Sequence, residues 1–312
     1  MSECKEDLLA VVGATGSGKT KLAIELCQAL NGEIVSVDSA QVFQRMDIGT
    51  AKPTPEEAAA AKHHLIDVIE PDVQWSAVKF AEAADLVIAD IRRRGKQPIL
   101  CGGAGLWYRA LLSGVFNAPE IDEGLRSEIR RDIEARGSVV MHEELRKLDP
   151  ATAEKLHPND KQRIGRALEV VRQCGRPIST FQEEHRFAEK KYSVRAVAYR
   201  WPVEVARERL AVRAKQMFEA GWIDEVAHLV ESGLKADSPG LRCIGYREIV
   251  LFLEGILNKE EMIEKTIVST RRYAKRQRNW FRQEDVDWVD PSMDVTEIIN
   301  LLRRAPEPTS VS

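Results

Sequence analysis

A phosphate-binding loop is the most specific chemical feature of the sequence. Residues 13–20, GATGSGKT, have the spacing G-x-x-x-x-G-K-[ST] and stand between an apolar strand-like run and a helix-like run. The glycines let backbone N–H groups turn toward one concavity, Lys19 brings a positive charge to a terminal phosphate, and the Thr20 hydroxyl suits Mg²⁺. The loop predicts binding of a di- or triphosphate but does not specify the reaction.

An acid, a hydroxyl and an amide follow the second strand-like run, as Asp38, Ser39 and Gln41. Ligands of open α/β sheets bind at the carboxyl ends of the strands, so we expect Asp38 in the same crevice as the phosphate-binding loop. There its carboxylate could accept a proton or help to hold Mg²⁺. A turn or a helix N-cap is the structural alternative for this aspartate.

Two further segments carry weaker signals. CGGAGLW, residues 101–107, places glycines after a strand-like run. Glycines there let the backbone approach a ligand closely, and the structural alternative is that they serve packing alone. Residues 271–282 contain Tyr273, Trp280 and Phe281 among six cations, Arg271, Arg272, Lys275, Arg276, Arg278 and Arg282. These cations fit a polyphosphate or a nucleic-acid backbone, and the alternative is a solvated helix whose aromatic residues face the core.

The elements that must position these residues alternate between two patterns over the first 115 residues. DLLAVVG, EIVSVDS and QPILCGG are typical of buried strands, and KTKLAIELCQAL, WSAVKFAEAADLVIADIRRRG and AGLWYRALLSG of helices. This alternation predicts an α/β fold with a parallel sheet. The strand-like run SVRAVAYRWP returns to the sheet, and the chain after it is mostly helical, with Gly221 as an interruption.

The domain organisation follows from a change of character near residue 117. We predict a P-loop core over 1–116, an inserted, densely charged helical subdomain over 117–192, and the rest of the core with C-terminal helices over 193–312. Ordinary solvated surface helices are the alternative for the insertion. The last residues, APEPTSVS, are expected to be a short disordered tail.

Composition narrows the class of protein. The 312 residues are 44% hydrophobic and 30% charged, and the net charge of −3 means that a polyanionic partner must be met by local basic patches. Five cysteines without a CxxC motif argue against a disulfide framework or a zinc site and favour a reducing cytoplasm; they are Cys4, Cys27, Cys101, Cys174 and Cys243. We expect neither a signal peptide nor a membrane span.

The ordered set of motifs resembles one known family. GATGSGKT, VDSAQVF, MDIGTAKP, HHLID, GGAGLW, HPNDKQRIGRALEV, RCIGYRE and TRRYAKRQRNWF occur in this order between about Leu8 and Trp288. Together they resemble the tRNA dimethylallyltransferase (tRNA isopentenyltransferase) family of bacterial type. The resemblance implies a P-loop-kinase-like core with an all-helical inserted subdomain that binds the anticodon stem-loop. No Cys/His pair follows Trp288, so the zinc finger of some eukaryotic members is absent from this sequence.

The resemblance also implies a reaction. Members move the dimethylallyl group from dimethylallyl diphosphate to N6 of the adenine directly 3′ of the anticodon, in tRNAs that read codons beginning with U. The P-loop then holds a leaving group, with Mg²⁺ as cofactor bound by Thr20. Asp38 is implied as the general base, and Lys19, Thr20 and Arg213 as further catalytic residues. The implied diphosphate-binding residues are Gly13, Ala14, Thr15, Gly16, Ser17, Gly18, Lys19 and Thr20.

A larger set is implied to contact tRNA. It comprises Asp38, Ser39, Ala40, Gln41, Ala104, Arg126, Gln162, Arg163, Ile164, Gly165, Arg166, Arg242, Cys243, Ile244, Gly245, Tyr246 and Arg247. Ser39 and Gln41 could hydrogen-bond the edge of an extruded adenine, since proteins read RNA sequence mainly through unpaired bases. We expect a monomer, because no long apolar patch at heptad spacing is present.

Five positions depart from the family pattern. Ala14 and Gly16 replace the usual Pro and Ala of the P-loop and leave phosphate binding feasible. Ala104 replaces a Thr and lacks the hydroxyl that would face the target nucleotide, while Trp107 and Phe43 replace tyrosines. None of these changes removes a residue assigned to chemistry.

Three other functions remain open at this point. An adenylate isopentenyltransferase, acting on free AMP, would not need the insertion or the basic C-terminal helix. A small-molecule or nucleotide kinase would use the P-loop and the parallel sheet but not the Asp38-Ser39-x-Gln41 set. A non-catalytic RNA-binding protein would leave the intact P-loop unexplained.

Overall fold

One parallel sheet forms the centre of the computed structural model, which describes residues 7–114, 121–186 and 191–303. Its order is β3-β2-β4-β1-β5-β6, and every neighbouring pair is parallel. The strands are β1 (Asp7–Val12), β2 (Gly32–Val37), β3 (His63–His64), β4 (Gln97–Gly102), β5 (Ser193–Tyr199) and β6 (Asp287–Val289). The four strands predicted from the sequence are β1, β2, β4 and β5, so the predicted α/β class is confirmed.

Helices make up most of the remaining described chain. They are α1 (Lys19–Leu30), α2 (Pro55–Ala60), α3 (Ala77–Arg93), α4 (Gly105–Ser113), α5 (Glu123–Arg136), α6 (Ser138–Leu148), α7 (Pro150–Lys155), α8 (Lys161–Cys174), α9 (Ile178–Arg186), α10 (Val203–Glu219), α11 (Trp222–Glu231), α12 (Tyr246–Leu253), α13 (Lys259–Phe281) and α14 (Val295–Arg303). Gly221, at φ 98°, separates α10 from α11, as the sequence predicts.

The sheet is apolar on both faces because helices cover both. On one face Leu8, Ala10 and Val12 of β1 join a core cluster with residues of α3, α4, α11, α12 and α13. On the other face Val11 packs with residues of α1 and α14. This burial explains the continuous apolar runs of the strands.

The chain divides into two compact units. The first comprises residues 1–112 and 191–312 and contains the sheet; the second is Ser113–Lys190. The second unit has its own apolar core, formed by residues such as Ile129, Met141, Ile164 and Leu168, and its described residues form helices α5–α9 without a strand. No helix in the described ranges is both long and apolar enough to cross a membrane. The predicted tail APEPTSVS and Cys4 lie outside the described residues.

Candidate active site

The phosphate-binding loop joins the end of β1 to the start of α1. Its three glycines all have positive φ, 134° at Gly13, 73° at Gly16 and 92° at Gly18, and Gly18 caps the helix. A Cβ on Gly16 would lie 2.7 Å from Cδ2 of Leu210 in α10. Gly16 is therefore required both by its backbone conformation and by the close approach of α10.

The carboxylate of Asp38, at the end of β2, faces two cations. Desolvation lowers the pKa of the Lys19 ammonium, and the negative charge of Asp38 acts in the opposite direction. The same two effects act on the pKa of Arg213, which is lowered by desolvation and also faces Asp38. Burial raises the pKa of the neighbouring Cys101 thiol to about 11. The structure thus brings together the acid, the lysine and the arginine that the sequence assigns to chemistry.

Arg213 also contacts the phosphate-binding loop itself. Its Nη1 donates to the Thr15 hydroxyl at 3.3 Å. From the preceding turn of α10, Nε of Arg209 donates to the carbonyl of Gly16 at 3.3 Å. Helix α10 therefore places one largely desolvated guanidinium beside the loop and supports the loop with a second one.

Asp38 begins a tight turn. Its Oδ1 accepts the backbone N–H of Ala40 at 2.9 Å and that of Gln41 at 3.4 Å. Both bonds use Oδ1, and Oδ2 has no hydrogen-bond partner within residues 7–114, 121–186 and 191–303. The turn predicted as an alternative role is present, and it fixes the carboxylate while leaving one oxygen for a ligand.

Ser39 and Tyr273 close one side of this turn. The exposed Ser39 hydroxyl lies near the hydroxyl of Tyr273, which α13 brings near Asp38. Burial raises the pKa of Tyr273, and the charge of Asp38 adds to the effect. Tyr273 thus belongs to the site, a role that the sequence did not assign.

The amide of Gln41 is engaged internally. Its Oε1 accepts the Ser36 hydroxyl at 3.1 Å, and its Nε2 donates to the carbonyl of Ala51 at 3.0 Å. Gln41 therefore connects Ser36 of β2 to the segment MDIGTAKP. Reading an adenine edge with this side chain would require an exchange of these bonds.

A cavity of about 10 Å³ adjoins the start of α1, room for roughly one water molecule. It is lined by Lys19, Thr20, Ile34, Ser36, Asp38, Gln41, Pro53, His63 and Cys101. Nδ1 of His63 contacts the carbonyl of Ala61 at 2.8 Å, and its Nε2 is buried without a partner in the described part of the chain. Burial lowers the pKa of His63, so the neutral ring offers a lone pair near this polar space.

These residues fit a hydrated cation. Among the described residues no group of three or more His, Cys, Asp or Glu side chains could hold a metal ion. Mg²⁺, however, takes oxygen ligands and keeps several waters. The Thr20 hydroxyl and the Asp38 carboxylate line the cavity together with His63. They suit Mg²⁺ provided that phosphate oxygens and water complete its ligands.

Glu225 of α11 also holds the segment MDIGTAKP. Its Oε2 accepts the backbone N–H groups of Asp47 at 2.8 Å and Ile48 at 2.7 Å. Its Oε1 accepts the N–H of Gly49 at 3.3 Å and the hydroxyl of Tyr246 at 2.5 Å. One carboxylate therefore connects MDIGTAKP to the segment RCIGYR, a relationship that the sequence did not indicate.

The segment RCIGYR presents some residues and buries others. Arg242 and Arg247 are exposed, whereas Gly245 and Tyr246 are buried. A Cβ on Gly245 would lie 1.9 Å from Cη2 of Trp222, so the Trp222 ring fixes this turn. The exposed arginines are the residues of this segment that are available to a polyanion.

The glycine loop after β4 lies close to β2. The N–H of Ala104 donates to the carbonyl of Val37 at 3.1 Å, and a Cβ on Gly102 would lie 2.0 Å from that carbonyl oxygen. Ala104 is buried. Trp107 stacks on Phe80 with ring centroids 4.6 Å apart, so this departure from the family pattern lies in the core.

Helix α13 divides its residues between three surroundings. Phe281 is fully buried. The ring of Trp280 lies against Gly105, and the guanidinium of Arg109 lies over the face of the same ring. A second cavity, of about 690 Å³, is bordered by P-loop residues 14–17 and by cations from α13 and its neighbours. These cations are Arg200, Arg207, Arg271, Arg272, Lys275, Arg278 and Arg282. Both sequence-based alternatives are therefore partly right, since the aromatic residues pack and most of the cations face open space.

The second unit contains the remaining predicted RNA contacts. Ile164 and Gly165 are buried in its core, where a Cβ on Gly165 would lie 3.1 Å from Ile133, so their side-chain positions serve packing. Gln162 and Arg163 are exposed. Arg126 and Arg166 are half-buried beside acids: Arg126 pairs with Glu123 at 2.7 Å and Arg166 with Glu169 at 3.2 Å.

Comparison with known proteins finds similar sequences over most of the chain. A family model described as IPP transferase matches residues 41–284. The tRNA dimethylallyltransferase of Geobacter sulfurreducens is 42% identical over 287 residues, which cover 92% of each chain. The tRNA dimethylallyltransferase 2 of Geotalea uraniireducens is 43% identical over 299 residues, which cover 96% of each chain.

Solved structures show the same similarity. The full-length tRNA isopentenylpyrophosphate transferase of Bacillus halodurans is 37% identical, with a TM-score of 0.70 and coverage of 96% of both chains. A eukaryotic dimethylallyltransferase, captured while acting on tRNA, is 28% identical with a TM-score of 0.75. That match covers 91% of this chain and 74% of the eukaryotic one.

Proposed function

Because the chain belongs to the tRNA dimethylallyltransferase (IPP transferase) family, and is thus a prenyltransferase, we propose that it transfers a dimethylallyl group to a specific adenine of tRNA. The donor is dimethylallyl diphosphate, and the acceptor is N6 of the adenine directly 3′ of the anticodon. The tRNAs concerned read codons that begin with U. A cytoplasmic location and a monomeric state stay predictions.

One observation carries this proposal: the carboxylate of Asp38 faces Lys19 and Arg213 from the end of β2, next to the phosphate-binding loop. A transferase of this kind needs a proton acceptor and a diphosphate site within reach of one carbon atom. Asp38 supplies the first, and the loop with its two cations supplies the second.

The donor half of the reaction is the departure of diphosphate. As the C–O bond breaks, negative charge accumulates on diphosphate, and Lys19, Arg213 and free N–H groups of the P-loop stabilise it. Mg²⁺ held by the Thr20 hydroxyl would neutralise part of the same charge. The low exposure of both cations strengthens these interactions, since the effective dielectric constant falls away from water.

The acceptor half is the formation of the C–N bond. The exocyclic amine of adenine is a weak nucleophile and must lose a proton as this bond forms. Oδ2 of Asp38 takes that proton, and general-base catalysis of this kind contributes about 10²–10⁴-fold. The adenine has to leave its stack first, at a cost of roughly a few kcal/mol. Ser39 and Tyr273 form the wall that it meets.

The RNA is held by exposed basic and polar side chains. In the first unit these are Arg242 and Arg247, together with the cations of α13 that face open space. In the second unit they are Gln162 and Arg163, together with the half-buried Arg126 and Arg166. Such contacts with the phosphate backbone position an RNA, while the extruded base supplies specificity.

The test is transfer of radiolabelled dimethylallyl diphosphate to unmodified tRNA. Asp38→Asn keeps the acceptor oxygen for Ala40 and removes the base, so the single-turnover rate should fall by about 10²–10⁴-fold with an unchanged Tm. Asp72→Asn, at an exposed position, is the control. Near-wild-type turnover of Asp38→Asn would reject the general-base role.

Two parallel reactions separate the alternatives. Free AMP competes with an anticodon stem-loop if the protein is an adenylate prenyltransferase, and label should then enter AMP. Release of ADP from ATP in the presence of a phosphate acceptor would indicate a kinase instead. We expect label in the RNA alone.

A further inference from the structure

Gln277 occupies a core position of α13. The buried residues of this helix are Met262, Thr266, Ala274, Gln277 and Phe281, which lie at the spacing of a core-facing stripe. Gln277 is 5% exposed. An amide at such a position costs free energy unless both of its ends are hydrogen-bonded, so its presence calls for partners on the facing elements.

Both ends of the Gln277 amide reach loops of the active site. Oε1 accepts the backbone N–H of Thr15 at 2.8 Å, and Nε2 donates to the carbonyl of Gly103 at 2.9 Å. Thr15 belongs to the phosphate-binding loop, and Gly103 to the loop that precedes α4. One buried side chain therefore bridges the phosphate-binding loop and the glycine loop after β4.

The space around this bridge is filled. A Cβ on Gly103 would lie 2.2 Å from Nε2 of Gln277 and 2.8 Å from the carbonyl oxygen of Gly13. The two loops thus meet at Gly103 with the amide of Gln277 inserted beside the contact. Neither loop can shift relative to the other without breaking a buried hydrogen bond or closing on the side chain.

We propose that Gln277 is a positioning residue, which holds the phosphate-binding loop and the glycine loop in the relative placement that aligns the leaving diphosphate with the acceptor adenine. This inference rests on the proposed function. Gln277 touches neither substrate directly, so its effect is on alignment. A misplacement of about 1 Å can cost about 10²-fold in rate, while binding of each substrate to its own loop is less affected.

Two substitutions separate the two hydrogen bonds. Gln277→Met preserves most of the volume and loses both bonds, whereas Gln277→Glu keeps an acceptor for the Thr15 N–H and loses the ordinary amide donor to Gly103. At saturating dimethylallyl diphosphate and anticodon stem-loop, the single-turnover rate of Gln277→Met should fall by about 30–100-fold. The rate of Gln277→Glu should lie between that variant and the wild type. Gln283→Met, an exposed position just after α13, is the matched control.

A binding measurement excludes a merely structural role. The Kd of inorganic diphosphate for Gln277→Met should stay within about three-fold of the wild type, since the cradle itself remains. All rates are measured well below the Tm of each variant. Should Gln277→Met not fold, Gln277→Asn carries the same test, because it keeps the amide but is one methylene too short to reach both loops.

Two results would overturn the inference. The first is a saturated rate of Gln277→Met equal to that of the wild type. The second is a loss explained wholly by weaker diphosphate binding, which would make Gln277 part of the cradle. Failure of the proposed function is distinguishable, because wild-type protein would then transfer no label to RNA at all.

Discussion

The guanidinium of Arg213 and the hydroxyl of Thr15 are hydrogen-bonded at 3.3 Å, which ties α10 to the tip of the phosphate-binding loop. The same guanidinium faces Asp38. Arg213 thus connects the leaving-group side of the site to the proposed base.

Arg213→Gln should therefore impair departure of diphosphate. The neutral amide is shorter and no longer compensates charge, so kcat is expected to fall by about 10²-fold, as for loss of one preorganised donor. Steady-state kinetics with labelled donor measure the effect. Lys215→Gln, exposed on the same helix, should behave as wild type. An unchanged kcat for Arg213→Gln would remove this residue from the mechanism.

Glu225→Gln should loosen the segment MDIGTAKP. The substitution removes the charge that accepts the N–H groups of Asp47, Ile48 and Gly49, and such bonds are worth about 1.5–3 kcal/mol when one partner is charged. We expect a loss of about 2 kcal/mol in the free energy of unfolding, measured with urea, and a lower transfer rate.

Tyr246→Phe tests a single bond of the same group. It removes only the hydroxyl that donates to Glu225 at 2.5 Å, so the loss should be smaller, about 1 kcal/mol. A loss as large as that of Glu225→Gln would show that the backbone bonds contribute little.

Gly16→Ala should distort the phosphate-binding loop. Its φ is 73°, and the new Cβ would lie 2.7 Å from Cδ2 of Leu210, so the cost is a strained backbone plus a clash, about 1–3 kcal/mol. Diphosphate binding, measured by calorimetry, should weaken. Gly95→Ala is the control, because Gly95 has φ 70° but nothing within 4 Å of its Cβ. Equal losses at both positions would mean that the contact with Leu210 is harmless.

Arg242→Ala and Arg247→Ala should each reduce the salt dependence of RNA binding. An arginine that contacts one phosphate contributes about 0.7–0.9 to the slope of log K against log salt concentration. Filter binding of an anticodon stem-loop at several salt concentrations measures that slope. Arg93→Ala, exposed on α3, should leave it unchanged. A slope that stays at the wild-type value would place these two arginines away from the RNA.

Glu33 should make the free energy of unfolding depend on pH in the acid range. This buried carboxylate is bonded to Arg94, Lys96 and His64, and chiefly the Arg94 hydrogen bonds hold its pKa well below the usual range. As pH falls, the Glu33 carboxylate is therefore protonated in the unfolded chain before it is protonated in the folded one. Its contribution to the free energy of unfolding is complete above about pH 5 and is lost as pH falls through the folded-state pKa.

Glu33→Gln isolates this contribution. At pH 7 it leaves cations beside a neutral amide, and the free energy of unfolding should fall by about 3 kcal/mol. Between pH 5 and 3 the variant should lose less stability than the wild type, as followed by urea unfolding. The exposed Asp72→Asn is the control, and parallel pH profiles for wild type and Glu33→Gln would contradict the assignment.

The sequence predicted the sheet well where strands are long. Apolar runs of six or seven residues identify β1, β2, β4 and β5, whereas β3 and β6 have two and three residues and show no pattern. Helix α1 begins at Lys19 as expected, because the P-loop fixes its start.

The supporting residues of the site were harder to predict. Glu225 and Gln277 act on loops that lie 170 or more residues away in the chain, so no local spacing connects them. A signal exists nevertheless, since each is a polar residue at a core-facing position of an amphipathic helix. Glu225 lies between the buried Trp222 and Val226, and Gln277 between Ala274 and Phe281.

The pairing of β1 with β5 has a consequence for biosynthesis. β1 is made first, but its register joins Asp7 to Ser193, roughly 190 residues later. At ribosomal rates the phosphate-binding loop waits roughly 10–40 s for this neighbour, with one edge of an apolar strand uncovered. The second unit, whose core is formed within Ser113–Lys190, can collapse during that interval. The phosphate-binding loop is thus synthesised early, but its neighbouring strand is added late. Nascent chains that stall before β5 carry the loop without that strand.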